Sequence, residues 1–340
     1  MAGRDVVVIG ASSGGVEALM ELARRLPPDL PAAVFVVVHV PEAAPSVLPR
    51  LLDRVGPLRA VHPEDGDPIE AGRIFVAPPD HHLLLERGRV RVKRGPKENR
   101  HRPAVDPLFR TAALAYGPRV VGVVLTGARN DGTAGLMAIK RRGGVAIVQD
   151  PAEALFASMP EHALEYVEVD HRVPLENLAS LLDRLCRDPV EPQGERGAYE
   201  GVTDEMEFEA KIAGLDPEVV DGGEHVGVLA GFTCPDCAGP LYEISDGELM
   251  RFRCRVGHAF TAEDALDGKL EALESALYAA LNTLVESAEM ADRLAARSRQ
   301  QGHGHATSRF ESRAKSAREQ AATIRAVLIG ETPATSADTG

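Results

Sequence analysis

The sequence predicts an α/β protein: a doubly wound, mostly parallel sheet with an antiparallel hairpin, then a small zinc-ribbon-like module and a helical hairpin or coiled-coil tail. Three observations carry this reading. Runs that are apolar throughout, such as residues 34–38 and 120–125, suit strands buried on both faces. Those runs alternate with amphipathic stretches at helical spacing, the order of a parallel sheet wound from βα units. Three of the four cysteines, Cys234, Cys237 and Cys254, crowd together far from Cys186.

In order along the chain, strands are expected at residues 5–9, 33–39, 73–77, 82–86, 90–94, 120–126, 145–149 and 166–169. Helices are expected at 16–26, 107–116, 134–142 and 175–186, where apolar residues recur every three or four. Residues 83–94 turn at Arg87-Gly88 and read as the antiparallel addition. A catalytic domain thus spans 1–187. Residues 188–229 are acidic and rich in Gly and Pro, which reads as a linker. The Cys/His module covers 230–262. From 263 to 330 the pattern is a helical tail: Leu270, Leu273, Leu277, Leu281 and Leu284, a break around Gly302, then Phe310, Ala314, Ala317, Ala321, Ile324 and Leu328. Residues 331–340 read as disordered.

Composition narrows the function classes. Of 340 residues 44% are apolar, enough for a sizeable core, and the net charge of −13 argues against a nucleic-acid partner. A local basic stretch (Arg89, Arg91, Lys93, Arg94, Lys97, Arg100) reads as a solvated hairpin face, with an acidic docking surface as the sharper alternative. No apolar run approaches the length of a membrane span, and residues 6–9 are too few for a signal-peptide core. The expectation is a cytoplasmic protein with no membrane insertion and reduced cysteines.

The chemistry concentrates at strand ends. Gly10-Ala11-Ser12-Ser13-Gly14 fits a G-x-S-x-G nucleophile elbow, in which glycines allow a sharp strand-to-helix turn that exposes the serine. Amides of Ser13, Gly14 and Gly15, at the start of the next helix, could serve the turn and an oxyanion. Taken alone, a phosphate cradle or a plain βα turn is an equal reading. His39 closes the apolar run 34–38, shortly before Pro41, and Asp131 follows the run 120–125. Singly, each has a bland role as strand-end or capping residue. Together, three such residues at the carboxyl ends of neighbouring parallel strands converge on one crevice as nucleophile, base and orienting carboxylate.

Residues 5–187 resemble the catalytic domain of the CheB protein-glutamate methylesterases of bacterial chemotaxis. The matching segments are Ile9-Gly10-Ala11-Ser12-Ser13-Gly14-Gly15, His39-Val40-Pro41, Pro78-Pro79-Asp80-His81-His82-Leu83, Arg102-Pro103-Ala104-Val105-Asp106-Pro107-Leu108-Phe109, Leu125-Thr126-Gly127, Asn130-Asp131-Gly132-Thr133-Ala134-Gly135, Gln149-Asp150-Pro151 and Ser158-Met159-Pro160. The resemblance implies Ser12, His39 and Asp131 as a catalytic triad that cleaves glutamate γ-methyl esters to glutamate and methanol without a cofactor. It also implies glutamine deamidation by the same route, and methylated chemoreceptor helices as partners. Ala128 and Arg129 stand where the family usually has Met-Gly, and Val40 where it usually has methionine. The family commonly begins with a phosphoacceptor receiver domain, which this sequence is expected to lack, and the C-terminal third has no counterpart in that architecture.

Cys234-x2-Cys237 and Cys254-x3-His258 flank a hairpin centred on Asp246-Gly247. That spacing suits a structural zinc with four protein ligands and no open position. A module of about 33 residues buries too little to fold without such a staple. His303 and His305 are expected in an exposed loop, and the tail as a surface for a helical partner or self-association. Three rival functions stand against this one. A short-chain dehydrogenase-like NAD(P) binder shares the glycine turn, but has Val16 for its third glycine and lacks a Tyr-x-x-x-Lys pair. A non-catalytic signalling scaffold has no need of all three polar residues. A metal hydrolase using His39, Asp80, His81 and Asp131 would leave Ser12 idle.

Overall fold

The computed structural model describes residues 3–40, 46–190, 202–222 and 225–330. The apolar runs become strands of one parallel sheet. Strand β1 (Val6–Ala11) leads through α1 (Gly15–Arg25) to β2 (Ala33–Val38), then α2 (Leu48–Val55), β3 (Arg59–Val61) and β4 (Arg73–Val76). The antiparallel pair β5 (His82–Glu86) and β6 (Arg89–Lys93) follows, with α3 (Val105–Tyr116), β7 (Val120–Val124), α4 (Thr133–Arg141), β8 (Val145–Gln149), α5 (Ser158–Tyr166), β9 (His171–Val173) and α6 (Leu175–Arg187). The sheet order is β3-β4-β2-β1-β7-β8-β9. β1 therefore sits centrally, where the winding reverses, and such a switch point opens a crevice at the carboxyl ends of the strands.

Alternation along β1 splits the core into two layers. Val7, Ile9 and Ala11 meet Leu19 and Leu22 of α1 and Leu178 and Leu182 of α6, while Val6 and Val8 belong to the layer of Phe109, Leu136 and Met159 from α3, α4 and α5. Register fixes the site. Ala11 pairs with Val38, and Gly10 with Val124, so the chain leaves β1, β2 and β7 at one level.

Departures from the expected elements have local causes. Tyr166 ends α5 instead of opening a strand, and the edge strand is the short, polar β9. The alternating Val167 and Val169 imitate a strand, but only Val167 is buried, against the α-helical layer. Helix α2 and strand β3 were not foreseen; Pro49 in the first turn of α2 masks its periodicity although that position tolerates proline.

Within the stretch read as a linker, residues 191–201 and 223–224 lie outside those described. The remainder forms α7 (Val202–Ala213) and α8 (Pro217–Gly222), with Met206, Glu209, Ile212 and Ala213 buried. The Cys/His module is a four-stranded antiparallel sheet, β10 (Val228–Thr233), β11 (Pro240–Asp246), β12 (Leu249–Cys254) and β13 (Ala259–Thr261). It belongs to the same compact unit as the catalytic domain, Met1–Ala265; the second unit is Leu266–Gly340. The tail is α9 (Ala262–Gln300) and α10 (Gly304–Leu328), broken at Gly302 as expected. Its buried seam is alanine: Ala288, Ala291 and Ala295 on α9, Ala314, Ala317 and Ala321 on α10. Leu270 and Leu273 are exposed. Residues 331–340, read as disordered, lie outside those described. Among the described residues no helix is long and apolar enough to cross a membrane.

Candidate active site

Ser12 sits one residue past β1, at the turn into α1. Gly14 takes φ 75°, a left-handed conformation that side chains beyond glycine resist, and this folds the chain back so that the Gly15 N–H reaches the Ser12 carbonyl at 2.8 Å. The segment after β7 clamps this elbow. The Ser12 N–H donates to the Thr126 carbonyl at 3.0 Å, and the Thr126 hydroxyl donates to the Ser13 carbonyl at 3.1 Å. At Gly127 no side chain fits, since a Cβ there would lie 2.1 Å from Met159 Sδ and 2.9 Å from Ser12 Cβ. Of the amides read as oxyanion donors, that of Gly15 is consumed by the turn, which leaves those of Ser13 and Gly14.

The structure brings together the three residues that the sequence singled out. Ser12 Oγ lies 3.0 Å from His39 Nδ1, and His39 Nε2 lies 2.7 Å from Asp131 Oδ2. The ring is turned end for end relative to the serine-protease arrangement, but the logic is the same. A carboxylate only accepts, so Nε2 carries the hydrogen and donates to Asp131, and bare Nδ1 faces the serine hydroxyl.

Asp131 is fully buried and every lone-pair direction is met. Oδ2 accepts from His39 Nε2 and from the Val105 N–H at 2.7 Å; Oδ1 accepts from Asn99 Nδ2 at 2.9 Å and the Asp106 N–H at 3.2 Å. Val105 and Asp106 open α3, so the carboxylate also faces the positive end of that helix. Burial alone would raise its pKa. The bond and charge of His39 and the Val105 amide outweigh burial and hold the carboxyl at about 2, ionised through the whole working range.

Three residues at the site went unread in the sequence. Asn99 is buried at φ 48° and bridges Asp131 Oδ1 and Asp106 Oδ2, the latter at 2.8 Å. His101 stacks on His39, ring centroids 3.6 Å apart; burial, and then the neighbouring His39 ring, push its pKa down to about 3, so it stays neutral. Asp106 accepts the Gly135 N–H of α4 at 2.7 Å. Only Asp106 had a signal, its place in the motif around Pro103 and Pro107.

Burial, and then the negative charge of Asp131, push the pKa of Asp106 up from 3.8 to about 7. A carboxyl raised in the folded state contributes stability that is complete below its unfolded value and lost as pH climbs through the folded one. Asp106→Asn, an isostere of the protonated acid, removes that titration. In thermal melts at a series of pH values, the parent protein should therefore lose ground to the variant between pH 4 and pH 7. A parallel pair of curves would refute the assignment.

Other candidates fall elsewhere. Asp80 pairs with Arg94 and Arg102, and His81 Nδ1 lies 3.0 Å from the Pro79 carbonyl, so neither joins a metal cluster with His39. In the basic stretch, Arg91 and Lys93 are tied to Asp65, and Arg89 to Glu86, the paired, solvated hairpin face. His303 and His305 are exposed. Cys234, Cys237, Cys254 and His258 form the one group of that kind found among the described residues, their donor atoms all within 4.8 Å of one another. The separations are 3.7 Å from Cys237 Sγ to Cys254 Sγ, 3.7 Å from Cys234 Sγ to His258 Nδ1 and 3.6 Å from Cys254 Sγ to the same nitrogen. Zinc–sulfur bonds of about 2.3 Å and zinc–nitrogen bonds of about 2.0 Å give tetrahedral edges of roughly 3.5–3.8 Å. The donor set fits a zinc ion.

Known proteins match the first half of the chain. Residues 7–182, just over half the chain, match the family model described as CheB methylesterase. A relative from Leptospira interrogans is 36% identical over 188 residues, 55% of this chain and 97% of its own length. A protein-glutamate methylesterase/protein-glutamine glutaminase of Anaeromyxobacter dehalogenans is 42% identical over 54% of this chain, which spans only 51% of that longer relative. The crystal structure of the Thermotoga maritima CheB methylesterase catalytic domain superposes with a TM-score of 0.52 at 33% identity, over 54% of this chain and all of that domain. These matches leave the dehydrogenase-like and scaffold readings without support. They stop short of α7 and everything after it. A family model matched over residues 7–182, and a fold shared with the whole of that domain, make this chain a member of the CheB methylesterase family of carboxylic ester hydrolases.

Proposed function

We propose that this chain hydrolyses γ-methyl esters of protein glutamate side chains, releasing glutamate and methanol, with Ser12, His39 and Asp131 as a catalytic triad. The observation that carries the reading is the His39 imidazole spanning Ser12 Oγ at 3.0 Å and Asp131 Oδ2 at 2.7 Å. His39 Nδ1 takes the hydroxyl proton as Ser12 Oγ bonds to the ester carbonyl carbon. The oxyanion that forms faces the amides of Ser13 and Gly14 at the N-terminus of α1. Collapse breaks the carbon–methoxy bond, and the imidazolium returns its proton to the leaving methanol. Water, deprotonated by the same nitrogen, then releases the glutamate and restores Ser12. A primary amide can follow this route with ammonia leaving, which is protein-glutamine deamidation. Asp131 stays ionised throughout, holding the tautomer and balancing the imidazolium.

Methylated chemoreceptor helices are the proposed substrate, and a reducing, cytoplasmic setting suits the four free cysteines. Cys234, Cys237, Cys254 and His258 would hold a structural zinc whose four protein ligands leave no position open for chemistry. Methanol release from radiomethylated receptor tests the main reading. Ser12→Ala is expected to abolish release while the circular-dichroism spectrum and melting temperature stay as in the parent; undiminished release would overturn the assignment.

A further inference from the structure

The metal-ligand module stands on the back of the triad. His258, its last ligand, is followed at once by Ala259 of β13, and Ala259 pairs with the 97–99 segment of the catalytic domain. The Asn99 N–H donates to the Ala259 carbonyl at 2.8 Å, and the Ala259 N–H donates to the Lys97 carbonyl at 3.2 Å. Residues 98 and 101 close a tight turn through paired amide–carbonyl bonds of 3.2 and 2.9 Å. That one turn carries both Asn99, which donates to Asp131, and His101, which stacks on His39. Around it, Arg253 of β12 holds Glu98 at 3.0 Å and the Gly257 carbonyl at 2.8 Å. Gly257 itself lies so close to Pro96 that a Cβ would stand 2.7 Å from Pro96 Cγ.

A second contact line reaches the other flank of Asp131. Thr261 and Asp264 cap the start of α9 reciprocally, and from that first turn Asp264 pairs with Arg129 at 2.8 Å while Glu263 accepts from Asn130 Nδ2 at 3.2 Å. Arg129, one of the residues that depart from the usual family pattern, thus ties the Asp131 turn to the C-terminal extension.

We propose that metal loading of the Cys234, Cys237, Cys254 and His258 site positions the triad, because β13 holds the 97–101 turn whose Asn99 and His101 set Asp131 and His39. Without the metal, the two knuckles have no covalent link, and the β13 edge loses the anchor that fixes its register on Lys97 and Asn99. Asn99 is a positioning residue. It touches no substrate and acts through the carboxylate. Loss of the metal, by chelation or thiol oxidation, would leave an enzyme with all three triad residues but a misaligned base. The inference rests on the triad reading above.

Full-length protein and zinc alone suffice for the test. The purified chain should bind about one zinc. Labelling of Ser12 by a fluorophosphonate probe measures the nucleophile without any receptor. The downfield proton resonance of the His39–Asp131 bond reports the alignment itself, which global stability alone would not move. Stripping the metal should slow labelling by about tenfold to hundredfold and broaden or erase the resonance, and returning zinc should restore both. Asn99→Ala, fully loaded with zinc, should slow labelling by a similar factor and respond less than about twofold to metal removal. Cys237→Ser provides a metal-poor variant should chelation unfold the protein. A chain that binds no zinc, or one whose labelling and resonance are untouched in the stripped protein or in loaded Asn99→Ala, overturns the proposal. Failure of the loaded parent protein to label at all would instead bring down the triad reading beneath it.

Discussion

Asp131→Asn is expected to lower kcat by about 10⁴ with little change in KM and an intact fold. Asp131 accepts four hydrogen bonds, two at each oxygen, and its ionised state dictates the imidazole tautomer. An asparagine amide can donate to His39 Nε2, which drives the ring hydrogen onto Nδ1. The base would then point an N–H at Ser12 where a lone pair is needed. The amide would also confront the N–H groups of Val105 or Asp106 with a second donor, so a modest stability loss of about 1–3 kcal/mol should accompany the kinetic effect. Steady-state methanol release and single-turnover labelling of Ser12 check it. A loss below about tenfold would mean that the carboxylate only supports the fold.

Glu209→Ala should cost about 3–5 kcal/mol, which for a unit of this size lowers Tm by roughly 10 °C. Glu209 lies on α7 at the centre of a buried set of alternating charges. It meets Arg251 at 3.0 Å, Arg253 at 2.8 Å and Arg110 at 3.5 Å; Glu98 joins Arg110 and Arg253, and Asp246 joins Arg251. The six charges balance, three of each sign, and all are shielded from solvent. Burial works against the Glu209 carboxylate, but the three guanidinium groups hold its pKa well below the usual range. Removing it leaves three buried cations facing two carboxylates. Unfolding in urea followed by circular dichroism measures the loss. A cost below about 1 kcal/mol would show the cluster to be hydrated and loosely coupled.

How much the sequence disclosed depended on how local the signal was. Buried strands such as β1, β2 and β7 are uniformly apolar, so their positions could be read directly, and with them the polar residues that follow their ends, Ser12, His39 and Asp131. The register of β1 with β2 and β7 then turned three separate strand ends into one site. What supports that site is non-local. Asn99 and His101 lie in a basic loop whose composition suggests only a solvated hairpin, and their roles follow from a turn pinned by β13, some 160 residues later. Glu209 sits in an acidic stretch that composition marks as a linker; its burial arises only because Arg110 and Arg251 come from elsewhere to meet it. In the tail, leucine spacing located the helices, while the buried seam is made of alanines, whose small side chains carry little weight in a hydropathy pattern.

The central claim is that Ser12 is the nucleophile, activated by His39. Peptide mapping of the fluorophosphonate-treated full chain tests it most directly, because Ser13 stands beside Ser12 as an internal control. The adduct should form at one site, Ser12, and vanish in His39→Ala. A label on Ser13 or on Ser158, or one that persists without His39, would contradict it.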